Sequence, residues 1–540
     1  MTGMGSNRDG TDVDGGTGAG VDADVIVVGY GPVGQLLSVL LAAKGHRVLA
    51  LERWERPYEL PRATSFDGET ARILATAGIA SSFAELGEPA DAYDWRNADG
   101  KTLLRIEFAQ RGRYGWPDAT TTHQPNLEAA LIARGTELDT LTVVRGHAVT
   151  DITEHADHVT VTTGAAGAFT ASWVVGCDGA NSFVRTHMGV PVTDLGFTYD
   201  WLLCDVSLRE PRTFTPANVQ ICDPARPMTM VASGPGHRRW EFMRLPGESV
   251  TDLDREEMAW SLLAPFDVTP DNADLLRHHV YGFRALVAER WRAGRLLLAG
   301  DAAHLMPPFA GQGMCSGARD VLNLSWKLDL VLRGTADEAL LDTYTEERLP
   351  HVRELIDTSV QLGKVICVTD PDRAAARDAA MLASPDGGRR SHGPALPLRG
   401  GALYRRLGGS PAPPAGEVIP QGTVARGAEE GLFDEVVGRG WVALTAEDPA
   451  TVFGEGDRAL LDALEARIVR IVASGAADAS AALVDVDDVY VPYLRRAGAR
   501  CLLIRPDHHV FGAARSSGEV GRLLADLRRR LLLTETRGTR

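Results

Sequence analysis

Cysteine is scarce in this 540-residue chain. The six, Cys177, Cys204, Cys222, Cys315, Cys367 and Cys501, form no CxxC pair and no metal-type spacing. That excludes a zinc site and a disulfide framework and suits a reducing cytoplasm. No apolar run approaches the roughly 18 residues a membrane helix requires, so no spanning helix is expected. Basic charge is in deficit: 56 Lys and Arg stand against 72 Asp and Glu, a formal net charge of -16. Such a balance repels nucleic acid and anionic lipid unless basic residues cluster. The Arg run at 528–530 lies among leucines in a helical pattern and reads as a solvated face. A small molecule is the partner that remains. Residues 1–22, rich in Gly, Asp, Ser and Thr, lack a basic start and an apolar stretch, and are expected to be a disordered leader.

The chain is longer than one hydrophobic core usually supports, and 44% hydrophobic with 24% charged content is that of a globular protein. From Asp24 the pattern reads strand over 25–28, Gly-rich turn, helix over 32–44 and strand over 47–51, a βαβ unit implying a parallel sheet. A helix near 126–134, β-type segments at 141–149 and 158–162, and a strand over 172–176 follow. Between 190 and 284 short β-type runs at 201–206, 218–221, 228–231 and 239–243, with one helical span near 252–263, predict an inserted antiparallel sheet. Residues 370–401, rich in Pro, Gly, Arg and Ala, read as a linker. Strand patterns at 440–446, 481–487 and 500–507, with helices over 457–474 and 518–532, make a small module beyond it. The expected fold is α/β: a discontinuous Rossmann-type cofactor domain (23–189 and 285–369), a substrate domain (190–284) and a C-terminal α/β module (402–540).

Three separated segments carry the chemistry. Gly29, Gly31 and Gly34 form a GxGxxG turn between a strand and a helix, so backbone amides can approach a pyrophosphate at the positive helix end. Glu52 ends the next strand, where its carboxylate can accept the hydroxyls of an adenosine ribose. In the second segment, Cys177 to Arg185, Asp178 either meets the cofactor or caps the helical turn behind it. In the third, Asp301 can accept from a ribityl hydroxyl, and the amides of Gly311, Gln312, Gly313 and Met314 head a long helix that favours negative charge. Reduced flavin carries negative charge on its pyrimidine edge, so the three segments together point to FAD.

These and further ordered motifs carry a family resemblance: GYGPVG with Glu52 and Arg53, PRATSFD at 61–67, YGWP and HQPNLE within 114–128, and CDGANSFVR at 177–185. CDPARP at 222–227, RRWEFMRLPGE at 238–248 and GDAAHLMPPFAGQGM at 300–314 with GARDVLNLSWKL complete the set. Over about residues 24–368 the chain resembles the single-component FAD-dependent aromatic hydroxylases of the para-hydroxybenzoate hydroxylase fold, and among them the hydroxyphenylpropionate hydroxylases. The resemblance implies that Arg53 lies beside the adenine, Arg62 reaches a phosphate or the flavin edge, and Gln124 touches the ribityl or ring region. It implies that Pro308 and residues 311–314 face the isoalloxazine, and that Asp178 and Arg185 belong to a motif serving FAD and the nicotinamide cofactor. NADH or NADPH is then a transiently docked co-substrate, and the C-terminal module resembles a thioredoxin-like appendage without CxxC. The implied reaction is hydroxylation of a phenolic substrate by O2 through a flavin hydroperoxide, in a cytoplasmic homodimer.

A base that draws the phenol proton is expected. His304 and Tyr199 are the catalytic candidates, with a structural hydrogen-bonding role as the bland reading of His304. His237, Arg239 and Pro307 are candidates for substrate contact, and Arg226 or Arg239 for pairing a substrate carboxylate. His508 and His509 are placed on a surface turn, and Cys315 is read as a packing residue. The flavin loop MPPFAGQGM also suits hydroxylases of larger polycyclic aromatics, so epoxidation or Baeyer–Villiger oxygenation of a polyketide-type substrate stands as an alternative. A nicotinamide dehydrogenase with one Rossmann unit stands further off, because it leaves the Asp301 loop without a task.

Overall fold

A computed structural model describes residues 21–164, 167–384, 388–391, 395–405, 409–476 and 482–533. The buried strand Ala23–Val28 runs into helix Pro32–Ala42, started by a proline that has no amide to lose at that position, and then into strand Val48–Glu52. Five strands pair parallel in the order Leu296–Leu298, Gly167–Gly176, Ala23–Val28, Val48–Glu52, Leu141–Arg145. Because they run the same way, their carboxyl ends share one edge. Gly29, Cys177 and Gly300 each follow one of these strands and Glu52 ends another, so segments far apart in sequence emerge side by side. Ligands of open α/β sheets bind along such an edge.

A second sheet has nine strands, with Val192–Leu208, Ala273–Ala288, His237–Met243 and Met228–Ala232 pairing antiparallel. It is not confined to 190–284. The hairpin Ala92–Arg96 and Thr102–Glu107, turned at Gly100 with φ 77°, extends it, and Arg389–Ser391 adds an edge. His304–Leu305 pairs with Val287 and Leu286, so the flavin-loop segment is itself stitched to this sheet.

The segment read as a linker contains helix Pro371–Leu382, capped by the Asp370 carboxylate on the Arg373 amide and started by Pro371. The C-terminal module is a thioredoxin-like α/β unit with a seven-stranded mixed sheet. Its centre is Leu483–Asp485, Arg467–Ala473 and Val442–Thr445 in parallel, continued by antiparallel Cys501–Ile504 and Val510–Ala514. The expected helix over 457–474 is two elements: helix Glu455–Ala463 ends before Glu465, which takes φ 54°, and Arg467–Ala473 is a strand. No helix of the described residues is long and apolar enough to cross a membrane, and all six cysteines are unpaired.

Candidate active site

One cavity of about 1030 Å³ runs along the carboxyl edge of the parallel sheet and under the nine-stranded sheet. Gly29, Gly31, Glu52, Arg53, Arg62, Gln124, Asp178, Asp301, Pro308, Gly311, Gln312, Gly313 and Met314 all line it. Gly34 does not. Its role is contact within the protein: a Cβ there would overlap the carbonyl oxygen of Gly29. Gly31 is the converse, with no protein atom within 4 Å of where a Cβ would stand. The space it leaves opens to the cavity, at the N-terminus of a helix that no side chain caps.

Helix Gly313–Leu332 likewise starts at the cavity without a side-chain cap. Two uncapped helix starts therefore turn their unpaired amides and positive dipole ends toward one space, which favours an anionic ligand. Glu52 is buried and accepts from the amides of Tyr30 at 2.8 Å and Trp54 at 3.0 Å, leaving lone pairs for further donors. Asp301 accepts no hydrogen bond on its carboxylate from the described residues. Burial pushes this carboxyl above its ordinary value, against the pull of His304 and Arg62. An unsatisfied acid between an uncapped helix and a glycine-lined opening fits the ribityl chain and phosphates of FAD.

Other residues position the wall. The Gln124 carbonyl accepts from the amides of Ala63 at 2.7 Å and Arg62 at 3.0 Å, and its amide donates to Glu128, so it holds the Arg62 loop. The Asp178 carboxylate takes the Ser182 hydroxyl and the Phe183 and Val184 amides, the capping arrangement rather than a free acid. Arg185 donates to the Ala302 carbonyl at 2.8 Å and the Ala180 carbonyl at 2.6 Å, tying the second motif to the third. Gln312 bonds Asp67 and Arg319, which fixes the start of the long helix.

Of the residues proposed from sequence for catalysis and substrate, only Arg239 lines the cavity. His304 is buried with Nε2 2.7 Å from Asp320, a carboxylate that also accepts the Gly300 amide at 3.2 Å and Arg348 Nε at 2.9 Å. It steadies the Gly300 turn and does not line the cavity. Tyr199 packs on Phe197, one ring removed from the cavity residue Phe309. His237 stacks on His123 with centroids 4.1 Å apart, and Pro307 is buried beside the wall that Pro308 forms. Arg239 does line the cavity, but its guanidinium is held by Asp205 at 2.7 Å and by the carbonyls of Pro61 and Arg62, both at 2.6 Å. It clamps a loop and has little left for a substrate carboxylate. Arg226 bonds Glu248 outside the cavity. His508 and His509 are buried rather than on a surface turn: His508 packs against Thr76 of the cofactor domain and lies beside the module's own Asp434, and His509 turns back on Asp507. Cys315 is a buried packing thiol, pushed up to about 12 by burial and by Asp67. Among the described residues no cluster suits a metal ion.

A family model described as FAD binding domain matches residues 22–359, and one described as HcaD C-terminal domain matches residues 416–530. The chain is 38% identical over 518 residues to the probable NADH-specific resorcinol 4-hydroxylase of Rhodococcus jostii, covering 94% of this chain and 96% of that protein. It is 36% identical over 444 residues, 80% of this chain and 78% of the other, to a 3-(3-hydroxy-phenyl)propionate/3-hydroxycinnamic acid hydroxylase of Mycolicibacterium smegmatis. Among solved structures, the flavin-dependent monooxygenase PieE in complex with FAD and substrate superposes with a TM-score of 0.79 at 22% identity, over 94% of this chain and 99% of that one. Aklavinone-11 hydroxylase with FAD and aklavinone gives 0.77 at 23% identity, over 95% and 99%. At these identities the structural likeness is one of fold.

Proposed function

The chain belongs to the FAD-dependent aromatic hydroxylases, and from that premise we propose that it uses NADH and O2 to hydroxylate a monocyclic phenol, giving the ring-hydroxylated product, NAD+ and water. One observation supports the reading most: uncapped amides, an unpaired Asp301 and a glycine opening meet in a cavity that continues beneath a second sheet. Bound FAD would supply the two-electron chemistry that links NADH to O2.

The residues of the chain do the rest. Gly29, Gly31 and the helix start at Pro32 hold the pyrophosphate, Glu52 the adenosine ribose, with Arg53 beside the adenine. Asp301 accepts from the ribityl chain, and the start of helix Gly313–Leu332 balances negative charge on the ring. Phe309 is wedged among Phe197, Trp201 and Phe283, with ring centroids 5.8–5.9 Å away, and keeps the ring end of the cavity apolar. A dry site prevents activated oxygen from being lost as hydrogen peroxide. The free thiols suit a cytoplasmic enzyme, and homodimer formation remains part of the proposal.

The test is direct. Purified protein should be yellow, and resorcinol should stimulate NADH oxidation and oxygen uptake with one oxygen atom appearing on the ring. Asp301→Ala should weaken FAD about tenfold or more. A colourless protein, or NADH oxidation that no phenol stimulates, would overturn the reading. An epoxide or ring-expanded product would move it to the alternative oxygenation.

A further inference from the structure

On the sheet side of the cavity the period of the strands decides what a ligand meets. Within His237–Met243, Trp240 and Phe242 join the apolar cluster under helix Glu256–Leu263, while Arg239 and Glu241 face the cavity. The same alternation presents Tyr93 and Trp95 of Ala92–Arg96 and Leu104 and Ile106 of Thr102–Glu107. Trp95 lies opposite Leu104, Tyr93 opposite Ile106, and Glu241 opposite Thr229. The wall is apolar and aromatic, with one acid set in it.

Glu241 is only 8% exposed, yet no hydrogen bond from the described residues reaches its carboxylate. Its ion-pair contact is Arg239 Nη1 at 3.8 Å, beyond hydrogen-bond range. Buried carboxylates are normally hydrogen-bonded, so an unmet one facing a cavity marks a place for a donor on a ligand. The polar neighbours are already engaged: Thr229 donates to Gln220 Oε1 at 2.7 Å, Tyr93 to the same oxygen at 3.3 Å, and the Gln220 amide to the Met228 carbonyl at 2.9 Å. Burial pushes the Glu241 carboxyl above its ordinary value, with Arg239 opposing. Arg239 itself is taken up by Asp205 and the Pro61 and Arg62 carbonyls. A substrate carboxylate here would meet a second negative charge and no cation free to pair with it on this wall of described residues.

Building on the hydroxylase reading above, we propose that Glu241 accepts the hydroxyl of an uncharged phenol and is its catalytic base, so that the site selects neutral hydroxyarenes over carboxylated ones. In the step, the substrate O–H bond breaks, its electron pair enters the ring, and the proton passes to the carboxylate. The ring carbon uses that electron pair to bond one atom of O2 as the O–O bond breaks, the other atom leaving as water with the two electrons that NADH supplies. That carbon then loses its hydrogen as a proton, and the original ring oxygen recovers a proton from Glu241 as aromaticity returns. O2 and NADH supply the oxidant and the reductant.

Holoenzyme is titrated with resorcinol and with 3-(3-hydroxyphenyl)propionate, binding being read from the absorbance of the oxidised flavin. Wild type should bind resorcinol at least tenfold more tightly, and Glu241→Gln should narrow that preference by admitting the acid. At pH 7 the E241Q variant should lose at least tenfold in kcat with resorcinol, release more hydrogen peroxide per NADH, and regain rate as rising pH ionises the phenol. Should E241Q not retain FAD, the wild-type binding preference and the Glu241→Asp variant, which keeps a carboxylate and should keep the acid limb of the pH profile, carry the test. Equal binding of the two compounds, or E241Q with wild-type coupling and pH profile, would overturn the proposal. If wild type binds FAD but hydroxylates no phenol, the hydroxylase reading fails instead.

Discussion

Arg72 of the cofactor domain and Asp434 of the C-terminal module form a two-point ion pair, Nε to Oδ2 at 2.6 Å and Nη2 to Oδ1 at 2.8 Å. Arg72 also donates to the Ile419 carbonyl at 2.7 Å, so one 1%-exposed guanidinium fastens the module by a carboxylate and a backbone oxygen. Arg72→Met leaves Asp434 buried without its partner, and unfolding should cost about 3–5 kcal/mol less. The double variant Arg72→Met/Asp434→Leu removes both charges and should recover much of that loss. Denaturant unfolding of the four proteins completes the cycle.

The same contact makes stability depend on pH. His508 is pushed down to about 3, by burial first and then by Arg72. Its folded value lies below the unfolded one, so the unfolded chain binds the extra proton between pH 6.5 and 3. Stability should fall with falling pH across that window, by about 1.4 kcal/mol per pH unit from this group. Asp434 acts lower: burial would raise it, but Arg72 and His508 hold it at about 2, so its contribution is present above its unfolded value near 3.8 and fades as pH falls toward 2. His508→Gln should flatten the melting temperature between pH 6.5 and 4 while leaving the loss below 3.8. An unchanged slope would remove His508 from the account.

Two glycines of one motif should fail in different ways. Gly31 sits at φ -80° with open space beside it, so Gly31→Ala should leave the apoprotein within about 0.5 kcal/mol of wild type while weakening FAD about tenfold, the methyl standing where the pyrophosphate approaches. Gly34→Ala drives a methyl into the Gly29 carbonyl and should destabilise the apoprotein itself, by about 3 kcal/mol. Thermal melts with and without FAD separate the two. Equal losses in both apoproteins would mean that the motif is packing alone.

The cofactor end was legible because it rests on local backbone rules: strand, glycine turn and helix start are neighbours in sequence, and the parallel sheet brings Gly29, Glu52, Cys177 and Asp301 to one edge. Arg239 and Glu241 were less legible. One strand places them on the same face, but whether that face meets water or a cavity depends on Ala92–Arg96 and Thr102–Glu107, more than a hundred residues upstream. His508 looked exposed in the turn-like PDHH and is buried against Thr76, more than four hundred residues upstream. Two misreadings had local signals. Asp370-Pro371 is a helix start inside apparent linker composition, and the β-branched alternation of RIVRIVA marks a strand inside the span read as a helix over 457–474. The end of that helix at Glu465, φ 54° without a glycine, left no mark in the sequence.

Phe309 lets the dryness of the ring end be measured separately from cofactor binding. It stands on the turn Pro308–Ala310, its ring edge-on to Phe197, Trp201 and Phe283, and Gly363 of helix Asp342–Ile366 has no side chain where a Cβ would press on Phe197 and Phe309. The loop is therefore held by packing. Phe309→Ala leaves the Asp301 carboxylate and the amides at Gly313 in place but widens the cavity beside the ring, at a stability cost of about 1–3 kcal/mol because Phe309 is only partly buried. Water entering there should divert activated oxygen, so NADH consumption should change little while hydrogen peroxide released per NADH rises severalfold and product falls in proportion. Phe309→Leu fills most of the space and should restore coupling. Coupling unchanged in Phe309→Ala, with FAD retained, would show that solvent exclusion at the ring rests on other residues.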